Sequence, residues 1–281
     1  MLNLAFFNTG EGRVTGYLNW AQTHLPSFSI FCLSEVHDKH APNPQTRRNT
    51  SPKPGVQSRE MFDQYDRLVD IMRDSHHCRH DASAVHEGDG ALYGLATFTS
   101  RSSPRAYGFQ AEAVHGYYGA PWPSPRLYSS CSQIVSFFVE LDDCVLLCAH
   151  GHFAWIKEGK DDHIIRDRQS HRIVAHLERR ADEMLQHAKP VEVMLGGDFN
   201  VRPDLRALHS IQAANVFGPD GAAILNDTVE HGYDTRTNHY AKDERAADYV
   251  LVSEALRERV VLTINRNVPS DHALLLVALQ T

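Results

Sequence analysis

Val191-Glu192-Val193-Met194-Leu195-Gly196-Gly197-Asp198-Phe199-Asn200 is the stretch on which the fold turns. Its apolar run reads as a buried strand that stops on two glycines, a carboxylate and an amide. With glycines giving the backbone room to turn, a strand end that delivers Asp198 and Asn200 can hold a hard cation beside a phosphate. Gly-Asp-x-Asn is also a common turn, so its meaning depends on what other strand ends supply.

Outward from this strand, short apolar runs alternate with amphipathic stretches. The pattern predicts strands over 3–8, 30–34, 92–99, 132–141, 144–151, 191–196, 247–252 and 273–279. It predicts helices over 14–24, 58–73, 164–188 and 205–211, the third burying a face that includes Ile165, Ile173, Leu177, Met184 and Leu185 before Pro190 closes it. Strands and helices in this order make an α/β layered fold, and the hairpin-like neighbours 132–141 and 144–151 make the sheet mixed. Two stretches read as long loops: 41–57, rich in Pro, Asn, Arg and Thr, and 111–130, rich in Pro, Gly and Tyr. No linker divides the chain, so residues 1–281 are expected to form one domain with insertions at those two places.

Composition narrows the class. At 281 residues and 42% hydrophobic content the chain can bury a large core. The cysteines are odd in number, and Cys32, Cys144 and Cys148 lie in apolar runs, which favours a reduced, intracellular and cytoplasmic setting. Leu2, Leu4, Phe6 and Phe7 open a core strand rather than a leader, and no run reaches the ~18 apolar residues of a membrane span. A net charge of −7 argues against gripping long nucleic acid by bulk charge, leaving a local basic patch or a divalent metal to do that work.

Polar clusters stand at strand ends along the whole chain. Asn8 follows Leu4-Ala5-Phe6-Phe7, Glu35 follows Ile30-Phe31-Cys32-Leu33-Ser34, and His150 and His152 follow Val145-Leu146-Leu147-Cys148. Asp248 opens Tyr249-Val250-Leu251-Val252, and Ser270-Asp271-His272 precedes Ala273-Leu274-Leu275-Leu276. Each has a bland reading as a cap, a turn or a solvated loop residue. Together they can converge on one edge of a sheet.

Asn8, Ser34-Glu35, Ala149-His150-Gly151-His152-Phe153, Gly197-Asp198-Phe199-Asn200, Asp248-Tyr249 and Ser270-Asp271-His272, in that order, resemble the endonuclease/exonuclease/phosphatase superfamily typified by DNase I and exonuclease III. Arg166 and Gln169 are similar to the Arg-x-x-Gln that often follows the histidine strand in this superfamily. The resemblance spans 3–279 and implies a DNase I-like four-layer α/β sandwich, two mixed β-sheets packed face to face with helices outside. It further implies a Mg²⁺- or Mn²⁺-dependent phosphoesterase that hydrolyses P–O bonds by in-line attack of water.

The implied roles suit the residue types. Glu35, with Asn8 and Asp271, offers hard oxygen ligands to the cation. His272 is the general base oriented by Asp248, while Asp198 either activates water or binds metal. Asn200 holds a phosphate oxygen or the water, and His150 or His152 stabilises the phosphorane or protonates the leaving group. Alignment on Ala-His favours His150. Alignment on His-Phe-x-Trp, with Phe153 and Trp155, favours His152, which is preferred.

Phe6-Phe7-Asn8-Thr9-Gly10 departs from the Trp-Asn-x-x-Gly of many repair enzymes, and a histidine stands where they carry tyrosine. Both departures lean away from an abasic-site endonuclease and toward DNase I, sphingomyelinase or phosphodiesterase relatives. Nucleic acid, DNA in particular, is the first substrate expected, with a nucleotide, phospholipid or inositol phosphate as the alternative. A catalytically inactive binding module is disfavoured by the completeness of the set, and no protein partner is expected. Arg47, Arg48, Lys53 and Arg59 against Glu60 make a basic loop that could reach an anionic substrate. Tyr117, Tyr118, Trp122 and Tyr128 pack their loop or stack on a base or headgroup. His76, His77, Cys78 and His80 read as a surface or helix-end cluster rather than a zinc site, for want of a second cluster.

Overall fold

Strand periodicity builds the layers here. In the computed structural model, which describes residues 1–12, 14, 16–38, 64–86, 92–116, 120–122, 131–154, 161–226, 234–240 and 246–281, Phe6 faces inward and its neighbour Phe7 outward. Among the described residues thirteen strands form: β1 (Leu2–Asn8), β2 (Ile30–Asp38), β3 (His76–His86), β4 (Leu92–Ser100), β5 (Ala106–Gly116), β6 (Ala120–Trp122), β7 (Cys131–Glu140), β8 (Val145–His152), β9 (Val191–Asp198), β10 (Ala222–Ile224), β11 (Asp248–Ser253), β12 (Val260–Asn265) and β13 (Leu274–Leu279). The helices are α1 (Tyr17–His24), α2 (Gln64–Met72), α3 (Ile164–Asp182) and α4 (Arg206–Gln212).

The strands assemble into a first sheet, ordered β12-β13-β1-β2-β4-β3-β6, and a second, ordered β10-β11-β9-β8-β7-β5. Both are mixed, since β1–β2 and β8–β9 pair parallel while β1–β13 and β7–β8 pair antiparallel. Leu4, Phe6, Ile30 and Cys32 of the first sheet pack against Phe137, Leu146, Cys148, Met194 and Val250 of the second. Tyr17, Ala21, Leu68 and Met72 of α1 and α2 cover the outer face of the first sheet, and Ile173, Leu177, Leu208 and Ile211 of α3 and α4 that of the second. This is the expected four-layer sandwich. Each fully buried Leu or Phe contributes ~1.5–3 kcal/mol to holding it.

The two glycines of the opening stretch serve close packing, and Gly197 also takes φ 132°, a backbone that L side chains rarely adopt. A methyl group at Gly196 would lie 2.6 Å from the Phe6 ring, and one at Gly197 would lie 2.2 Å from the Gly151 carbonyl oxygen on the neighbouring strand. The first sheet can approach, and β8 and β9 can stay in register, only without those side chains.

Several elements differ from the sequence reading. Residues 111–116, expected in a loop, belong to β5, and β6 lies further along the same stretch. His76, His77, Cys78 and His80 sit on strand β3, with His76 buried, so they form no helix-end cluster. β3, β5, β6, β10 and β12 were not expected; all five lie at or next to a sheet edge, where one face meets solvent and the apolar pattern thins. α1 begins at Tyr17 because Gly16 takes a left-handed conformation (φ 89°), and α3 stops at Asp182, leaving Leu185 77% exposed. Residues 58–63 of the expected second helix lie outside the described residues, as do Trp155 and the predicted loop at 41–57.

Polar groups pin the layers. Ser136 Oγ lies 2.8 Å from His176 Nε2, whose Nδ1 lies 2.8 Å from Glu112 Oε2. That hydroxyl–imidazole–carboxylate order suits a hydrolase, but Ser136 is fully sealed and the relay ties α3 to the sheet instead. Between the sheets, His150 Nε2 lies 2.8 Å from Thr97 Oγ1 of β4. Burial pushes the His150 imidazole down to about 3.

The unfolded chain protonates this ring near pH ~6.5, whereas the folded protein resists until about 3, so stability falls as pH drops through that interval. His150→Gln, which can keep the Thr97 bond, should flatten the fall by up to about 1 kcal/mol per pH unit. Urea midpoints measured from about pH 7 to about pH 4 check this; parallel slopes for variant and parent would refute it.

Candidate active site

Strand register brings the polar ends together. Asp198 stands opposite Asp248 across β9–β11 and opposite His152 across β8–β9, so three side chains from three adjacent strands meet at one edge of the second sheet. In the first sheet Asn8 pairs with Ser34, placing Glu35 just beyond it. Glu35 occupies a bulge between Leu33 and Val36 in the β2–β4 pairing. There its backbone takes φ 57°, and Asn200 takes φ 51°. Among the described residues these are the only non-glycine positions with positive φ, and both belong to this edge. A bulge re-aims a side chain, and the strained conformation costs ~1–2 kcal/mol.

Asp198 is the meeting point. Its Oδ1 accepts from the Asn200 backbone N–H at 2.9 Å, and its Oδ2 accepts from Asn8 Nδ2 at 3.0 Å. The same Oδ2 lies 3.7 Å from His152 Nε2 and 3.6 Å from His272 Nε2, so two imidazoles flank one carboxylate oxygen. His152 Nε2 is also 3.5 Å from Glu35 Oε1. Of the two candidate histidines, His152 therefore reaches the site and His150 does not. Asn200 is fixed by its Nδ2 donating to the Phe153 carbonyl at 3.1 Å and by Arg166 Nη2 donating to the Asn200 carbonyl at 3.1 Å. Gln169 holds the same corner by accepting from the Ala154 N–H at 3.0 Å.

His272 Nδ1 sits 3.0 Å from each oxygen of Asp248. Burial pushes the ring's pKa down, but Asp248, then Asp198 and Asp271, outweigh burial and the opposing charge of Arg236 to raise it to about 9. Ser270 anchors the turn: its Oγ donates to the Asn8 carbonyl at 2.7 Å and accepts from the His272 N–H at 3.2 Å. Asp271, expected as a metal ligand, faces Arg236 Nη1 at 3.5 Å and lies outside the groupings of His and carboxylate atoms close enough to share an ion.

Arg236 escaped the sequence reading. It is buried, stacks 4.2 Å from the Tyr240 ring centroid, and donates from Nη1 to His272 Nε2. Burial opposes its charge, yet Asp198, Asp248 and Asp271 raise its pKa further. Its contact with Nε2 requires the neutral imidazole, protonated on Nδ1 toward Asp248. The carboxylates favour the doubly protonated ring, so the two forms of His272 compete at this atom. The isolated bridge between Arg236 and His272 holds the segment in place, a long-range pairing with no local sequence signal. Arg47 and Arg48, expected at the phosphate, lie outside the described residues.

The donor set fits a divalent cation. Glu35, His152 and Asp198 each offer an atom within 4.8 Å of the others, as do Asp198, Asp248 and His272. The first group supplies two carboxylates and an imidazole, compatible with Mn²⁺ and, through its oxygens, with Mg²⁺. Asn8 adds an amide beside Asp198, although its Oδ1 already accepts from the Gly10 N–H at 3.0 Å.

Residues 3–272 match the family described as "Endonuclease/Exonuclease/phosphatase family". Among solved structures, truncated TDP2 from Caenorhabditis elegans is similar, with 12% identity and a TM-score of 0.61 over 100% of this chain and 97% of that one. The human Nocturnin catalytic domain with bound sulfate anion gives 12% identity and a TM-score of 0.60 over 99% of this chain and 93% of that one. An endonuclease/exonuclease/phosphatase family protein from Leptotrichia buccalis gives 13% and 0.63, with both chains covered in full. At such identities the likeness speaks to the fold. Comparison with curated proteins gives no significant match.

Glu35→Gly, which relieves the positive φ and removes the carboxylate, should raise stability by about 1 kcal/mol while abolishing any metal-dependent hydrolysis. Thermal melts beside an activity assay decide it; a variant both less stable and still active would contradict the strained, metal-facing assignment.

Proposed function

From membership of the Endonuclease/Exonuclease/phosphatase family, to which this chain belongs, we propose that it is a divalent-metal-dependent hydrolase that cleaves a P–O bond by in-line attack of water, acting first on nucleic acid. The observation that carries the reading is Asp198, whose Oδ2 lies between two opposed imidazoles and within reach of Glu35 and Asn8. The reading treats residues 1–281 as one unit, since β1 and β13 pair across the length of the chain.

Neutral His272, held by Asp248, takes a proton from water at Nε2 once Arg236 Nη1 has moved off that atom, and Asp198 beside it orients that water. Asn200 directs its amide toward a phosphate oxygen while Arg166 and Phe153 hold its backbone and side chain. His152, on the opposite flank, stabilises the charge on the phosphorane or gives a proton to the leaving oxygen. Glu35 and Asp198, with Asn8 beside them, would hold Mg²⁺ or Mn²⁺, and Asp271, turned to Arg236, would not. When bound, the cation polarises a phosphoryl oxygen and neutralises charge on the leaving group. Positive charge at Asp198 also favours the neutral His272 that the base role needs.

Arg236 supports a second reading on substrate. A guanidinium fixed at the base adds a permanent cation suited to a terminal phosphomonoester, which carries more charge than an internal diester. A nucleotide or the phosphorylated end of a strand fits that better than a lipid headgroup. The four described free thiols Cys32, Cys78, Cys144 and Cys148 accord with a reducing, cytoplasmic setting, and no described helix is long and apolar enough to cross a membrane.

Chelation with EDTA should abolish turnover and Mg²⁺ or Mn²⁺ should restore it; hydrolysis that survives chelation overturns the mechanism. His152→Ala should lose on the order of 10²-fold or more in kcat, and His150→Gln little, in an assay on plasmid DNA, single-stranded DNA, RNA and mononucleotides. Equal, mild losses would sink the assignment of His152. Arg236→Lys should lower kcat/KM for a 5′-phosphorylated end about tenfold more than for an internal diester, roughly 1.4 kcal/mol of transition-state binding. Uniform loss would leave Arg236 a structural residue.

A further inference from the structure

The end of the sandwich opposite the active edge carries a second concavity. A groove of about 670 Å³ opens where the start of β3, the end of β4 and the 101–105 turn of the first sheet meet the start of β5, an edge strand of the second. Ile30 pairs with Thr99 at this end, five positions before Glu35, so strand rise sets the groove ~17 Å from the active edge. Such a volume suits a small ligand rather than a surface contact.

Its walls are cationic in a chain whose net charge is −7. Arg101 and Arg105 are exposed at the mouth, and His77 joins them. Among the described residues no carboxylate lines the groove. Arg79 forms the floor in a different way: its Nε and Nη2 each donate to Asp81 at 2.7 Å, and its guanidinium lies 5.4 Å over the Phe109 ring. Phe109 in turn stacks on Phe137 at 4.8 Å. Arg79 is thus neutralised, a flat platform for a planar ring, while Arg105 and Arg101, whose Nη2 donates to the Arg73 carbonyl at 3.3 Å, carry the charge. Thr99, Ser100 and Ser103 add hydroxyls to the lining.

We propose that this groove is a second ligand site, taking a phosphorylated compound of nucleotide size: its phosphate at Arg101 and Arg105, its ring on Arg79. The ligand is a free nucleotide or the terminal nucleotide of a strand, which share that chemistry. Thr97, a buried lining residue, lies 2.8 Å from His150, two residues from His152, so an occupant would touch a residue joined to the active strand. The site does not depend on the hydrolase reading.

Titration calorimetry in EDTA tests it, with 5′-AMP and a short 5′-phosphorylated oligothymidine added to the parent, to Arg101→Glu/Arg105→Glu and to Asp198→Ala. AMP or the strand should bind the parent and Asp198→Ala alike and bind the charge-reversed protein at least about tenfold more weakly, with circular dichroism and melting temperature unchanged by the reversal. Tighter binding of the strand identifies a nucleic-acid end, and equal or weaker binding of the strand identifies a free nucleotide; each supports the groove. Unaltered affinity in the charge-reversed protein, binding lost in Asp198→Ala, or no binding of either ligand at millimolar concentration overturns it.

Discussion

The Asp198 carboxylate accepts from Asn8 in the first sheet and from the backbone of Asn200 in its own, and it stands within 3.7 Å of imidazoles arriving from β8 and from the turn before β13. A buried anion of this kind is costly unless it is surrounded by donors and positive charge. The surrounding groups are those proposed to carry out chemistry, so the need to satisfy one carboxylate and the assembly of the active edge are the same requirement. Register does the positioning: Asp198 lies level with His152 on one side and Asp248 on the other.

That arrangement is possible because the two sheets meet closely at one point behind it, where a Cβ on Gly196 would lie 2.6 Å from the Phe6 ring. Phe6 sits over Gly196 where any side chain would collide, and Gly151 and Gly197 bring the backbones of β8 and β9 together. Behind this contact the fold is ordinary apolar packing. In front of it, Glu35 and Asn200 hold left-handed backbones that the rest of the sandwich stabilises. Packing that tolerates no added methyl and a backbone held off its preferred conformation are found within a few residues of each other on β9 and its turn.

Central strands were legible from sequence because they are buried on both faces and read as continuous apolar runs, as Val193-Met194-Leu195 does. The strand-end residues were legible too, through their order along the chain. What local pattern could not carry were half-exposed strands such as β5 and β12, the bulge that aims Glu35, and Arg236, which reaches His272 only through a bridge between segments 36 positions apart. For the two histidines alternating on one strand, strand pattern alone gave no choice, and only alignment with the superfamily preferred His152. The choice came from depth: His150 lies under the opposite sheet against Thr97, whereas His152 emerges at its rim beside Glu35.

β13 closes on a point about assembly. Although last in sequence, it is an interior strand of the first sheet, hydrogen-bonded on one side to β12 and on the other to β1. A growing chain therefore holds β1 with an unsatisfied edge until residues 274–279 have emerged, and the pairing it awaits joins Leu2–Phe6 to Leu275–Leu279. The turn carrying Asp271 and His272 arrives with that strand. During synthesis the molecule is a half-built sheet without its proposed base, and the ability to cut would be acquired in the same event that seals the exposed edge.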